Sequence, residues 1–355
     1  MKHSILVINT GSSTTKTAIM ENHQPLVQIE KTHSHEELRS FQHLKDEANF
    51  RQEIIRAFLE ENQEISTSIA AIGAIGGILK PLQGGVYAIT PPLVEDIVHG
   101  RTPARHASNI AALIAYNLGQ KHQIPSYIVD PISTDELWDH ARLTGLPMVE
   151  RKSRTHALNV KACIRKAVKE HGKSPQGTFI VAHLGGGLTV NLVKDGKIVD
   201  IEDGRQYGPF STEAAGGVPV ADLLQTMMEK ELDPRNLLKY WYGKGGFVAH
   251  LGINSIKDTL LMAKDGDARA QLVLDAFFYQ IAKAIGALAT ASKGRVDCII
   301  LTGGAARSDV VVQQVSDYIA SIAPILVFPG ENELEAIAES VSLVLSKEMP
   351  VQEYK

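Results

Sequence analysis

The sequence predicts a duplicated open α/β fold, two halves that each carry a sheet with helices on both faces and meet at a cleft. Three observations predict it. The 355 residues exceed what one hydrophobic core usually organises. A unit of strand, glycine corner and strand occurs twice, so that Asn9 falls on His183 and Gly11 on Gly185. Between and after these units, short apolar runs alternate with helical periods, the pattern of a sheet covered on both sides.

Taken in order, Ser4–Ile8 is an apolar strand that stops at Asn9-Thr-Gly-Ser-Ser-Thr-Thr-Lys16 and resumes as a second strand. A plain hairpin needs only Asn-Gly or Asp-Gly at its tip. This corner instead offers small residues, hydroxyls and one cation, a surface suited to a polyanion. A hairpin with a solvated lysine fits these residues equally well. The pattern then predicts a helix over 53–61, a strand over 69–75, a helix over 107–122 and a strand over 124–129. A helix over 158–171 ends at the Gly172-Lys-Ser-Pro175 break and marks the boundary. Domains are thus expected at 1–157 and 158–355, with the last helix able to pack back on the N-terminal one. The second half opens with FIVAHLGGGLTVNLV (179–193) and continues through a long helix over 268–292 and a strand over 296–301. A helix over 309–322, a strand over 324–328 and a closing helix over 333–346 complete it.

Thirty-six basic against 40 acidic residues give no field that would attract nucleic acid or an anionic membrane surface, which leaves small molecules and protein subunits as partners. Cys163 lies in a helical pattern and Cys298 in a buried strand, so both read as core thiols of a reducing compartment. The apolar run before Asn9 is too short for a signal peptide, and the longest apolar stretch, 69–79, is interrupted by glycines. A cytoplasmic protein is expected.

Three glycine corners end strands: Thr10-Gly-Ser-Ser13, His183-Leu-Gly-Gly-Gly187 and Thr302-Gly-Gly-Ala-Ala306. The third leads into a helix, where close backbone approach and a helix N-terminus favour a nucleotide. From here the chain resembles the acetate and propionate kinase superfamily, and within it butyrate kinases. VINTGSSTTK, GGILKPLQGGVY, HASNIAALIA, RLTGLPMVERKSRTHALN, GPFSTEAAGGVP, ILTGGAARS and FPGENELEAIAE carry the likeness nearly end to end.

The resemblance implies the actin-like ATPase (ribonuclease H-like) fold with the active site in the cleft. It also implies reversible, ATP- and Mg²⁺-dependent phosphorylation of a short-chain carboxylate to an acyl phosphate by a cytoplasmic homo-oligomer, a dimer or larger. By the same resemblance Asn9, Lys16, Gly185 and Gly186 attend the ATP phosphates, and Gly303 and Gly304 the adenosine. Asp130 and Glu333 hold Mg²⁺, His183 and His156 lie at the phosphoryl group, and Gly76 and Gly77 on the substrate side. Asp130 before Pro131 could equally open a turn, Glu333 serve only a helix terminus, and either histidine be a satisfied core residue.

Two departures stand out. Butyrate kinases carry an arginine before the first paired glycines and another after the glutamate of the GPFSPE-type loop. This chain has Ile75 and Ala214. No alkyl group replaces a guanidinium, so either Arg154 or Arg205 substitutes, with reduced turnover, or the acceptor differs, or the chain is a nucleotide-binding paralogue with a regulatory role.

Overall fold

The computed structural model describes residues 3–355. The chain opens with β1 (Ser4–Thr10), β2 (Thr14–Glu21) and β3 (Gln24–Thr32), then α1 (His35–Arg39), α2 (Leu44–Glu61) and α3 (Gln63–Ser66). β4 (Ile69–Ile75), β5 (Val86–Ala88), α4 (Pro91–Val98), α5 (Ser108–His122) and β6 (Ser126–Val129) follow. The helix expected over 53–61 starts nine residues earlier. Its first turns look polar, but Glu47 and Ala48 are buried and the Arg51 side chain is wholly so.

The second stretch runs α6 (Asp139–Arg142), α7 (Ala157–His171), β7 (Thr178–Leu184), β8 (Leu188–Lys194) and β9 (Lys197–Asp203). α7 stops where Gly172 turns left-handed at φ 61°, a conformation that glycine adopts without penalty. Residues 220–264, for which the pattern predicts no element, form α8 (Val220–Glu229), α9 (Pro234–Gly243), α10 (Gly246–Leu251) and α11 (Ile256–Lys264). The chain then closes with α12 (Ala268–Ala291), β10 (Cys298–Gly303), a 3₁₀ turn at Gly304–Arg307, α13 (Asp309–Ile319), β11 (Ile325–Pro329), α14 (Glu333–Leu345) and β12 (Val351–Gln352). Asp267 caps α12 by accepting the Arg269 and Ala270 N–H groups, and Ser308 caps α13 through Val311. Among the described residues α12 alone is long and apolar enough to cross a membrane. Its apolar face, Phe277, Ile281, Ile285 and Leu288 included, is buried in a core with β7 and β8.

Two units result. The first comprises residues up to Asp135, Ala157–Asn159 and Asn332–Lys355; the second comprises Glu136–His156 and Val160–Glu331. In the first, the sheet order is β12-β5-β6-β4-β1-β2-β3, with β1, β4 and β6 parallel. α14 packs on this sheet, where Ile337 and Val341 press so closely on Gly73 that a Cβ there would overlap them. In the second, the order is β11-β10-β7-β8-β9, with β7, β10 and β11 parallel.

The repeat is visible strand for strand. β1 and β2 pair antiparallel across Gly11–Ser13, β7 and β8 across Gly185–Gly187, and each pair is flanked by a parallel strand on one side and an antiparallel third strand on the other. This is the actin-like ATPase-type architecture. Parallel strands end on one edge of a sheet, so Asn9, Gly76 and Asp130 share the edge of the first sheet, as His183 and Gly303 share that of the second.

Candidate active site

In the second unit the site grows from the end of β7. His183 is buried there, and its ring stacks on that of His156 with centroids 3.7 Å apart and planes 6° from parallel. His156 precedes α7 and is steered by a polar chain. Thr155 Oγ1 donates to Asn191 Oδ1, Asn191 Nδ2 donates to Val181 O at 3.0 Å, and Thr189 Oγ1 lies 3.0 Å from His156 Nδ1. The glycines of the corner are there because of the rings. A Cβ on Gly187 would stand 3.0 Å from His156 Nε2, and one on Gly185 3.3 Å from His183 Nε2. The imidazole edges therefore face backbone that leaves room for a ligand atom.

Burial, the stacked His183 and the charge of Arg205 all push the His156 pKa well below its ordinary value, so the ring is neutral at neutral pH. A neutral imidazole keeps one N–H to donate and adds no charge of its own. Glu331 Oε1 reaches within 3.4 Å of His183 Nε2.

Arg205 is presented by a tight turn after β9. Gly204 N–H donates to Leu188 O at 3.1 Å, and Asp203 Oδ1 accepts the Arg205 N–H at 2.9 Å. Asp203 is buried, which raises its pKa against the opposing pull of that N–H, Gln206, Arg205 and Arg154. Both candidate arginines thus lie near Asp203, but only Arg205 also bears on His156.

The corner after β10 adds a cavity of about 590 Å³ lined by Gly185, Gly186, Thr212, Lys257, Gly304 and Arg307. Glu213 and Asn254, hydrogen-bonded at 2.8 Å, close part of its wall. Asn254 and Lys257 carry no sequence signal for this position, because both come from outside the glycine corners and the stretches that carry the likeness.

In the first unit Asn9 ends β1, buried, and its Nδ2 donates to Glu333 Oε2 at the start of α14. Lys16 stands opposite Asn9 in the hairpin register and extends toward Glu30, 3.4 Å away, with its side chain partly exposed. The corner between them is locked by Arg51, whose Nη1 donates to Gly11 O at 3.0 Å and Thr14 O at 2.6 Å, with Glu47 balancing its charge. Sequence reading misses Arg51 because nothing local to α2 announces a partner forty residues back.

At the end of β4, Gly76 lies against Pro131, and Gly77 against the Asn109 side chain, so tightly that no Cβ fits at either position. Ile75 and Ala214 are both buried. Asp130 follows β6 and accepts the Gly85 N–H on Oδ1 at 2.8 Å. No cluster of three or more His, Cys, Asp or Glu that could hold a metal occurs among the described residues. Mg²⁺ does not require one, since one or two carboxylates with waters and substrate phosphates suffice. Asp130 and Glu333, hard oxygen donors on the same unit, fit that need.

The structure therefore gathers His156, His183, Gly185, Gly186, Arg205, Gly303 and Gly304 in the second unit. It gathers Asn9, Lys16, Gly76, Gly77, Asp130 and Glu333 in the first. Arg154 and Arg205 are both exposed, and of the two Arg205 bears on His156.

Comparison with known proteins shows the family. Residues 149–341 match the Acetokinase family. A protein named probable butyrate kinase 1 from Thermotoga maritima is 39% identical over 354 residues, covering 99% of both chains. A probable butyrate kinase from Clostridium botulinum strain Alaska E43 is 40% identical over 356 residues, covering both chains in full. Among solved structures, Porphyromonas gingivalis acetate kinase superposes with a TM-score of 0.76 at 19% identity, covering 96% of this chain and 100% of that one. A propionate kinase from Francisella tularensis gives 0.73 at 18%, covering 95% and 98%. The chain belongs to the acetokinase family of carboxylate kinases.

Proposed function

We propose that this protein transfers the γ-phosphoryl group of ATP reversibly to a short-chain carboxylate, with butyrate or a related branched acid as the acceptor, giving an acyl phosphate and ADP. The observation that carries the reading is the pair of stacked, buried-edge histidines beside a glycine corner, in a chain that aligns over its full length with relatives named butyrate kinases. A carboxylate oxygen attacks the γ-phosphorus while the bond to the β-phosphate oxygen breaks, and no proton needs to move. The protein's task is to align the two oxygens and to neutralise charge on the transferring group.

His183 and neutral His156 offer N–H donors to equatorial oxygens without bringing like charges together. The open corner at Gly185–Gly187 admits those oxygens, and Arg205 supplies the positive charge. Within the first unit Asn9 and Lys16 are the residues suited to phosphate oxygens, and within the second the cavity beside Gly304 is suited to adenosine. Asp130 and Glu333 would hold Mg²⁺, which when bound screens the phosphate charge.

With Ile75 and Ala214 in place of guanidiniums, we infer turnover on butyrate well below that of family members bearing both arginines. Incubation with ATP, Mg²⁺ and a series of straight and branched acids, with hydroxylamine to trap the product, should yield hydroxamate most strongly from four- or five-carbon acids. ATP consumption that no carboxylate stimulates would refute this.

We also infer a cytoplasmic homo-oligomer. Both cysteines are free and buried, in keeping with a reducing compartment. α8 and α9 bury no residue in this chain; Val220, Leu224 and Met228 form an exposed stripe at helical spacing on α8, and Leu238, Tyr240 and Tyr242 are exposed on α9. A second copy laid on this face would cover an apolar patch that soluble surfaces seldom leave open. Sedimentation should show a dimer or larger that Met228→Glu dissociates; a monomer at micromolar concentration would count against it.

A further inference from the structure

We propose that the segment 351–354 is a positioning clamp for the catalytic edge of the first sheet, and that Gln352 acts through Asp130. The inference rests on the reading of Asp130 as a metal-holding carboxylate. It concerns how that carboxylate is kept in place.

Asp130 has a left-handed backbone, φ 38°, unusual for a residue with a side chain and costly unless neighbours enforce it. One neighbour does so through a reciprocal pair of hydrogen bonds. Gly85 N–H donates to Asp130 Oδ1 at 2.8 Å, and Asp130 N–H donates to Gly85 O at 2.9 Å. The Gly84–Gly85 loop is in turn held from the far end of the chain. β12 pairs with β5, which follows that loop, with Gln352 opposite Tyr87. Gln352 Nε2 donates to Gly84 O at 3.0 Å and packs directly on Gly85, whose φ of 141° is strained for any residue with a Cβ.

Two residues further on, Tyr354 is buried and donates its hydroxyl to Asp96 Oδ2 at 2.8 Å. Asp96 also takes Lys80 Nζ at 2.6 Å, and Lys80 belongs to the loop that begins at Gly76-Gly77. One short segment thus fixes both loops that flank the edge. Neither link is visible in the sequence, since Gln352 and Gly84 are 268 residues apart.

Gln352→Met keeps the length and packing of the side chain and removes its donor. We expect kcat to fall about 10–100-fold, the usual cost of losing a group that orients a metal-holding side chain. The Mg²⁺ concentration for half-maximal rate should rise while KM for ATP stays within about twofold. Hydrogen exchange should quicken at the Gly85 and Asp130 amides, with protection of β1 and β4 unchanged. In an Asp130→Asn background the same substitution should cost nothing further. Normal kcat and exchange in Gln352→Met, with Asp130→Asn inactive, would overturn the clamp alone. A fully active Asp130→Asn would overturn the reading beneath it, and exchange at Gly85 would then judge the clamp by itself. Loss of protection spread evenly over the first sheet, with a lowered Tm, would reduce the segment to a structural strand and also overturn the proposal.

Discussion

Arg205→Ala is expected to lower kcat for acyl phosphate formation by about 10²–10³, the usual cost of losing a single group aimed at transition-state charge. The expectation follows from two absences and one placement. Ile75 and Ala214 supply no cation, and the turn after β9 sets Arg205 where its charge is felt at His156. Arg205 is exposed and its backbone N–H, not its guanidinium, holds Asp203 in the turn, so the alanine variant should fold normally. Arg205→Lys should recover little, since an ammonium lacks the planar fork that matches a phosphoryl group. Arg154→Ala, whose charge bears on Asp203, should cost less than about tenfold. The measurement is steady-state kinetics at saturating ATP together with thermal melting. If Arg205→Ala keeps kcat within about twofold while folding as the parent does, the missing guanidiniums have no substitute here.

The second large effect concerns two adjacent glycines that do different things. Gly303 sits at φ 90°, ψ 176°, a region essentially closed to residues with a Cβ, and a methyl there would run into the backbone of Leu184. It also exchanges hydrogen bonds with Gly330, at 3.1 and 2.9 Å, which ties β10 to the end of β11. Gly303→Ala should therefore destabilise the protein by about 1–3 kcal/mol from backbone strain, and by a comparable amount again from displaced backbone. Gly304 has open space where its Cβ would be, and lines the cavity. Gly304→Ala should leave stability within about 0.5 kcal/mol while raising KM for ATP. Urea unfolding and ATP kinetics on the two variants separate the roles. Equal stability loss in both would show that the corner is not built as described.

The hairpin corners were legible because their signal is local. An apolar strand, a glycine run and a second strand recur with Asn9 and His183 in equivalent places, and the structure pairs both as antiparallel hairpins. The buried strands of the second half, and its helices α7, α12, α13 and α14, were legible for the same reason, to within a few residues at each end. What escaped depends on distant partners. α2 begins early because Arg51 reaches Gly11 and Thr14, and an arginine on a polar helix face looks solvated until that corner is placed beside it. α8 and α9 have helical spacing but bury nothing within this chain, so no core marks them. Glu331 and Asn191 join the histidines only through folding, and β12 is two residues long. That Arg205 bears on His156 while Arg154 bears on Asp203 depends on the turn at Asp203, which spacing alone does not define.

The packing of α14 on β1 and β4 sets an order of events during synthesis. A ribosome delivers the strands of the first sheet early, yet Ile337 and Val341 cover Gly73, and Glu333 meets Asn9, only after nearly the whole chain has emerged. Until then that face of the nascent sheet is apolar and bare. Contacts of such sequence separation close slowly, and uncovered parallel strands are prone to associate with other chains. The first unit therefore closes its sheet only once residues 333–341 follow, and over that interval the growing polypeptide exposes an apolar face that its mature surface does not reveal.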